Sequence, residues 1–303
     1  MSQTEEAAPL KPLRILPLRF KLRSAGMAFP EFSGTSWHSG LGMVLAQHSP
    51  EAFRRLYQTN PESRLYALLP PMNSDIAAGE QFELGITLFG YGVDNALAVT
   101  QAIVELGRIG LRPGGHYEMI EARVIGPECE DVFLSEQDGF IAVPHTFTAN
   151  DYLASTPELV EHCRVHFVTP LRIKDGGDHL RCAPNYPQLL RRIFGRIDQL
   201  AHVAEELTPL AKNLRDSLYE EAERIEIKKS AIISHGVERR SARSGQQMQF
   251  SGIVGTIDYG GALQASIPWL HLARLAQLGG KTAFGFGGLE IERGFKYEAQ
   301  RLT

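Results

Sequence analysis

The sequence predicts an α+β protein built from two tandem ferredoxin-like units, each running strand, helix, strand, strand, helix, strand. Two observations predict it. Hydrophobic periodicity alternates between about two and about 3.6 residues in that order, and does so twice along the chain. The ends of the two second helices also resemble each other. Leu106-Gly107-Arg108-Ile109-Gly110-Leu111-Arg112-Pro113-Gly114-Gly115 and Leu278-Gly279 through Gly287-Gly288 both run Leu-Gly, a basic residue, Gly-Gly and then a strand. An internal duplication constrains a fold more than any single element does. The expected division is a flexible tail over 1–12, a first unit over 13–150 and a second over 151–303. The second carries a helical insertion at about 187–228 and a glycine-rich loop at 278–288.

Leu13 to Arg23 alternates apolar and polar residues and reads as the first strand. Thr35 or Ser36 can cap the helix that follows, where Trp37, Leu41, Val44 and Leu45 form an amphipathic stripe. A short helix opens at Pro50. Strands are expected over Arg64–Leu69, Gln81–Gly90 and His116–Ile125, with a helix from Asp94 to Gly107 capped by Asp94. Residues 126–160 are less regular, with a hairpin expected around Asp138-Gly139. Val165–Ile173 opens the second unit. A long helical stretch follows, broken near Thr208-Pro209, then strands near Val237–Arg240 and Met248–Tyr259, a helix over Ile267–Leu278 and a last strand, Leu289–Phe295.

Composition narrows the function. A chain of 303 residues with 43% hydrophobic and 22% charged residues has material for a sizeable core. No apolar run is long enough to span a bilayer, and the acidic, polar N-terminus is not a signal peptide, so a cytoplasmic location is expected. Cys129, Cys163 and Cys182 lack a CxxC spacing, which argues against a disulfide framework or a zinc ribbon. His162 and His166 fall on a strand, about 13 Å apart, so no metal site is expected of them. A net charge of −4 means that any nucleic-acid contact must rest on local basic patches.

The glycine loop carries the chemistry signal. Five glycines fall within ten positions around Lys281. Exposed N–H groups beside a cation can cradle a phosphate. Gly280-Lys281-Thr282 is not a nucleotide-binding P-loop: Leu275 stands where that motif needs glycine, and the loop follows a helix instead of a strand.

Taken together, these features resemble the RAMP superfamily of CRISPR-associated proteins, and within it the repeat-RNA-processing endoribonucleases. The family's loop is Gly-hydrophobic-Gly, five residues with a Lys or Arg, then Gly-hydrophobic-Gly. Gly285-Phe286-Gly287 supplies the second half and Gly280–Phe284 the five, while the first half reads Gln277-Leu278-Gly279, with glutamine for the first glycine. Trp37-His38-Ser39-Gly40-Leu41-Gly42, Phe250-Ser251-Gly252-Ile253-Val254-Gly255 and Tyr259-Gly260 are similar to further family stretches.

The resemblance implies cleavage of CRISPR repeat RNA in a precursor transcript, without metal or other cofactor, by attack of a ribose 2′-hydroxyl. The products are a 2′,3′-cyclic phosphate and a 5′-hydroxyl. A repeat-RNA hairpin is the implied partner, with other CRISPR effector subunits beside it and no membrane. Such chemistry needs a base, an acid and donors for the phosphorane charge. His38 is the chosen catalytic histidine, as histidine titrates near neutrality; His48, Arg23, Arg54 and Tyr57 are candidates to assist or replace it. Arg239, Arg240 and Arg243, three arginines in five residues, are expected to contact RNA backbone. Gly279, Gly280, Lys281, Gly285, Phe286 and Gly287 are expected to face the nucleic acid. The alternative is a non-catalytic RAMP subunit that grips the repeat-derived end of a guide RNA.

Overall fold

The computed structural model describes residues 11–29, 32–60, 63–111, 115–128, 130–154, 159–208, 212–240 and 247–293. The first unit contains β1 (Arg14–Ser24), α1 (Gly34–His48), β2 (Tyr66–Leu69), β3 (Gln81–Phe89), α2 (Ala96–Ile109) and β4 (Tyr117–Ile125). These strands form an antiparallel sheet in the order β2-β3-β1-β4, which β5 (Glu130–Ser135) and Gly139–Phe140 extend as a hairpin. The second unit contains β6 (His162–Leu171), α3 (Tyr186–Ala204), α4 (Lys212–Ala222), β7 (Glu226–Arg240), β8 (Gln247–Gly260), α5 (Ile267–Ala276) and β9 (Leu289–Arg293). Its sheet order is β7-β8-β6-β9. Both sheets thus place their strands second, third, first, fourth, the ferredoxin-like arrangement.

Alternation along β1 explains how the units join. Leu16, Leu18, Phe20 and Leu22 turn into the first core with Trp37, Leu41, Val99 and Ile103. Leu13 and Ile15, with Leu65, Ala67 and Phe89, instead enter the second unit's core beside Phe167, Leu189, Ile193 and Trp269. Arg14 adds an ion pair to Glu206 at 2.7 Å.

Several elements differ from the sequence expectation. The helical stretch, divided into two helices as expected, ends at Ala222 instead of Lys228, so Glu226–Lys228 belong to a strand. The reason is pairing: all of β7 lies against β8, from Glu226 opposite Gly260 to Arg240 opposite Gln247. β8 meets β6 only from Ile253 onward, leaving His235–Arg240 and Gln247–Gly252 as a two-stranded ribbon beyond the sheet. The element that extends outward is therefore this ribbon. α3 buries Leu189, Leu190, Ile193, Phe194, Ile197 and Leu200 and serves as the unit's first helix. α1 starts at Gly34, after Ser33, and neither Thr35 nor Ser36 caps it. Asp94 lies in a 3-10 turn, Gly90–Asn95, paired with Arg14. α5 stops at Ala276, two residues before the expected end.

Candidate active site

Short glycines bring the second unit's loop onto the first unit's α1. A Cβ on Gly34 would strike the Phe284 carbonyl oxygen, so α1 and the loop touch backbone to backbone. Within the loop, Gly287 (φ 75°) has no room for a side chain against the Leu278 carbonyl. Its N–H donates to Pro170 O at 3.0 Å, its carbonyl accepts from Leu278 N–H at 3.0 Å, and Gly280 N–H donates to Arg172 O at 3.0 Å. Gln277, where the family's motif has glycine, adopts φ 54° and ψ 159°. That region is costly for a residue with a side chain. Its buried amide donates to Leu68 O at 2.9 Å, which ties the strained residue to β2.

Arg196 fastens the same loop from behind. This arginine of α3 is buried, donating to Ala276 O at 3.3 Å and to Thr282 Oγ1 at 2.9 Å. Burial pushes its guanidinium down to about 10, so it still carries its charge at neutral pH.

His38 sits where α1, β2 and the loop meet, and it is 6% exposed. Its Nδ1 lies 3.1 Å from Ala283 O and 2.7 Å from Tyr66 Oη, and its Nε2 lies 3.2 Å from Arg64 Nη1. These partners select the tautomer. A carbonyl only accepts and a guanidinium only donates, so Nδ1 carries the hydrogen and Nε2 presents its lone pair. Tyr66, able to do either, accepts from Nδ1.

Aromatic rings enclose the imidazole. Phe284 lies at a centroid distance of 3.9 Å and Tyr57 at 4.9 Å. Tyr57 belongs to a π-helical turn, Arg54–Gln58, and donates to His38 O at 2.8 Å. Gly42 makes the space for it, since a Cβ there would meet the Tyr57 ring at 2.6 Å. Burial holds the Tyr57 and Tyr66 phenols above their usual range, so both stay protonated. The Arg64 guanidinium stands 5.2 Å from the Tyr57 ring and 5.6 Å from that of Phe284. Lys281, in a left-handed conformation (φ 70°), is exposed with Nζ 5.9 Å from the Phe284 ring.

The candidates from sequence thus divide. His38 and Tyr57 come together, and Gly280 and Lys281 are exposed beside them. His48 lies ten residues on, about 15 Å along α1. It lines a separate cleft of about 590 Å³ with Gln101 and Arg108. Arg23 ion-pairs with Glu118 at 3.5 Å and Glu136 at 3.6 Å, and Arg54 with Glu51. Gly285, Phe286 and Gly287 do not face outward. Phe286 is fully buried, 4.9 Å from Phe32 and 5.8 Å from Phe250, because the backbone contacts around Gly287 turn it into the protein. Gly279 does not end the helix but abuts Arg172 across a bridge. Arg239 and Arg240 end β7, opposite Met248 and Gln247, and Arg243 lies outside the described residues.

Arg64 and Tyr66 also contact His38, and neither is among the residues expected from sequence. They are two apart, hence on one face of an extended segment. Asking which face of that segment meets α1 would have found them.

Comparison with known proteins agrees with this architecture. Residues 165–289 match the family model of the CRISPR-associated endoribonuclease Cas6. No curated protein matches the chain. Among solved structures, Thermus thermophilus Cas6 is 14% identical with a TM-score of 0.60, covering 92% of this chain and 99% of that one. A Cas6 product complex is 18% identical with a TM-score of 0.59, over 92% of this chain and 100% of that one. A partial Cas6-RT-Cas1–Cas2 complex gives 0.61 at 14% identity, over 95% of this chain and 47% of that one. Residues 165–289 thus match the family model of the CRISPR-associated endoribonuclease Cas6, and across both units the chain has the fold of the solved Cas6 structures.

Proposed function

We propose that this protein cuts CRISPR repeat RNA in the precursor transcript to release guide RNAs, with His38 as the base. The observation that carries this reading is the His38 tautomer: Nδ1–H is fixed by Ala283 O, leaving the Nε2 lone pair to take a proton. Similar Cas6 structures described as product and substrate mimic complexes support the substrate class.

In the proposed reaction, Arg64 leaves Nε2 as RNA enters and moves to the scissile phosphate. Nε2 takes the 2′-hydroxyl proton, O2′ attacks phosphorus, the bond to O5′ breaks, and the departing O5′ takes a proton from solvent while the His38 imidazolium gives its own back. The products are a 2′,3′-cyclic phosphate and a 5′-hydroxyl. Arg64 and Lys281 stabilise the charge that builds on the phosphorane oxygens. Tyr57 and Tyr66 hold the imidazole. Base, ring support and cations all come from side chains here, which is why cleavage is expected to persist in chelator.

The test is incubation with the cognate repeat RNA in chelator. The expected result is cleavage, slowed about 10²–10⁴-fold in His38→Ala while binding is retained. Tight binding with no cleavage by the unaltered protein would support the alternative, a RAMP subunit that only grips guide RNA. Cleavage undiminished in His38→Ala would remove His38 from the mechanism and leave the activity standing.

A further inference from the structure

Beyond the glycine loop, the second unit has a group of basic side chains that the reaction above does not use. β6 ends at Leu171, and Lys174–Asp175 and Asp178–His179 then form a small hairpin. Arg172 lies half-buried at its root, with Nη2 3.0 Å from His179 Nε2. Its guanidinium carbon stands 4.8 Å from the centre of the half-buried Phe250 ring. From α3, Arg192 donates to the Lys174 carbonyl, so a third cation joins Arg172 and Lys174 at the hairpin. Lys174 and Arg192 are exposed.

These four side chains comprise three cations and His179, and the hairpin they surround also carries Asp175 and Asp178. Among the described residues, none of the four forms an ion pair with a carboxylate, although many other arginines do, including Arg164 with Asp258 and Arg215 with Asp198. Burial, then Arg172 and Lys174, hold His179 below its usual range. In a chain of net charge −4, three cations converging on one hairpin, none of them ion-paired among the described residues, suit the surface to an anion.

Its position says which anion. Arg172 O accepts from Gly280 N–H, which places the cluster one residue from Lys281, on the loop that also supplies Ala283 O to His38. We infer that Arg172, Lys174, His179 and Arg192 form a phosphate-binding track for the RNA strand next to the candidate reaction centre, with Phe250 as a stacking surface for a base. Single-stranded nucleic acid is held in this way, by cations along the backbone and aromatic rings under the bases. The track deepens the RNA-cleaving reading and rests on it.

The test is equilibrium binding of repeat RNA over a series of salt concentrations. Each phosphate contact contributes about 0.7 to the slope of log K against log salt for a single strand. The double variant K174A/R192A changes two exposed side chains and should fold. It is expected to weaken binding about tenfold at 0.15 M salt and to lower the slope by about 1.4. R55A/R108A, which removes two cations from the first unit, is expected to keep both values. Arg172→Ala should weaken binding further by losing stacking and charge together.

Unchanged affinity and slope in K174A/R192A would overturn the track while leaving RNA cleavage intact. An equal loss in R55A/R108A would also overturn it, by tracing the effect to net charge. If the unaltered protein binds no repeat RNA, the functional reading falls, and the track with it.

Discussion

Arg64 makes the sharpest claim at the scale of single residues. It caps the one His38 nitrogen that has a lone pair to give, and the Phe284 and Tyr57 rings flank it. A space-filling role and a phosphate-stabilising role predict different kinetics. Arg64→Ala should slow the single-turnover cleavage of saturating RNA by about 10²-fold, as loss of a preorganised charge donor does. Arg64→Lys should recover part of that, since a point charge replaces the planar fork. An undiminished rate in Arg64→Ala would reduce the residue to packing. His38 was legible in the sequence because its Trp-His-Ser-Gly-Leu-Gly setting is contiguous. Arg64 and Tyr66 were not, because they lie 26 and 28 residues away and only strand order carries them to α1.

At the scale of elements, the loop is held by two kinds of force. Backbone hydrogen bonds to Pro170, Arg172 and Leu278 set its path, and Arg196 ties it to the end of α5. Arg196→Ala removes a charged donor from two buried acceptors and is expected to destabilise the fold by about 2 kcal/mol, read from the denaturant midpoint. A midpoint unchanged from the parent would mean that the loop holds itself. At the same scale, β7 departs from the expected helix. Its opening, Glu226-Ile227-Lys228-Lys229, continues a run of strong helix formers, and local propensity favours a helix there. The long register with β8 overrides it, and no local signal announces that Glu226 pairs with Gly260 and Lys229 with Asp258, far along the chain. The ferredoxin-like order itself was readable because each strand and helix buries one face and repeats its own period.

Across the whole molecule, the two units share a hydrophobic core. Leu13, Ile15, Leu65, Ala67 and Phe89 belong to the first unit by chain and to the second core by contact. Splitting the chain near residue 150 would expose them to water, at roughly 1.5–3 kcal/mol for each large side chain. Calorimetry of the intact protein should therefore show a single transition, with a calorimetric enthalpy equal to the van't Hoff value. Two resolved transitions would mean that the shared core is too weak to couple the units. No described helix is long and apolar enough to cross a membrane.

The bond that orients His38 has an unusual pedigree, because its acceptor is the main chain at Ala283. Every amino acid brings that oxygen, so no codon change at position 283 can delete it. A substitution scan should find the imidazole's anchor written in other places: at Gly34 and Gly287, where any added carbon shifts the chain, and at Arg196 behind it. The genetic signature of the site is thus displaced from the atom that does the holding to the residues that decide where the chain runs.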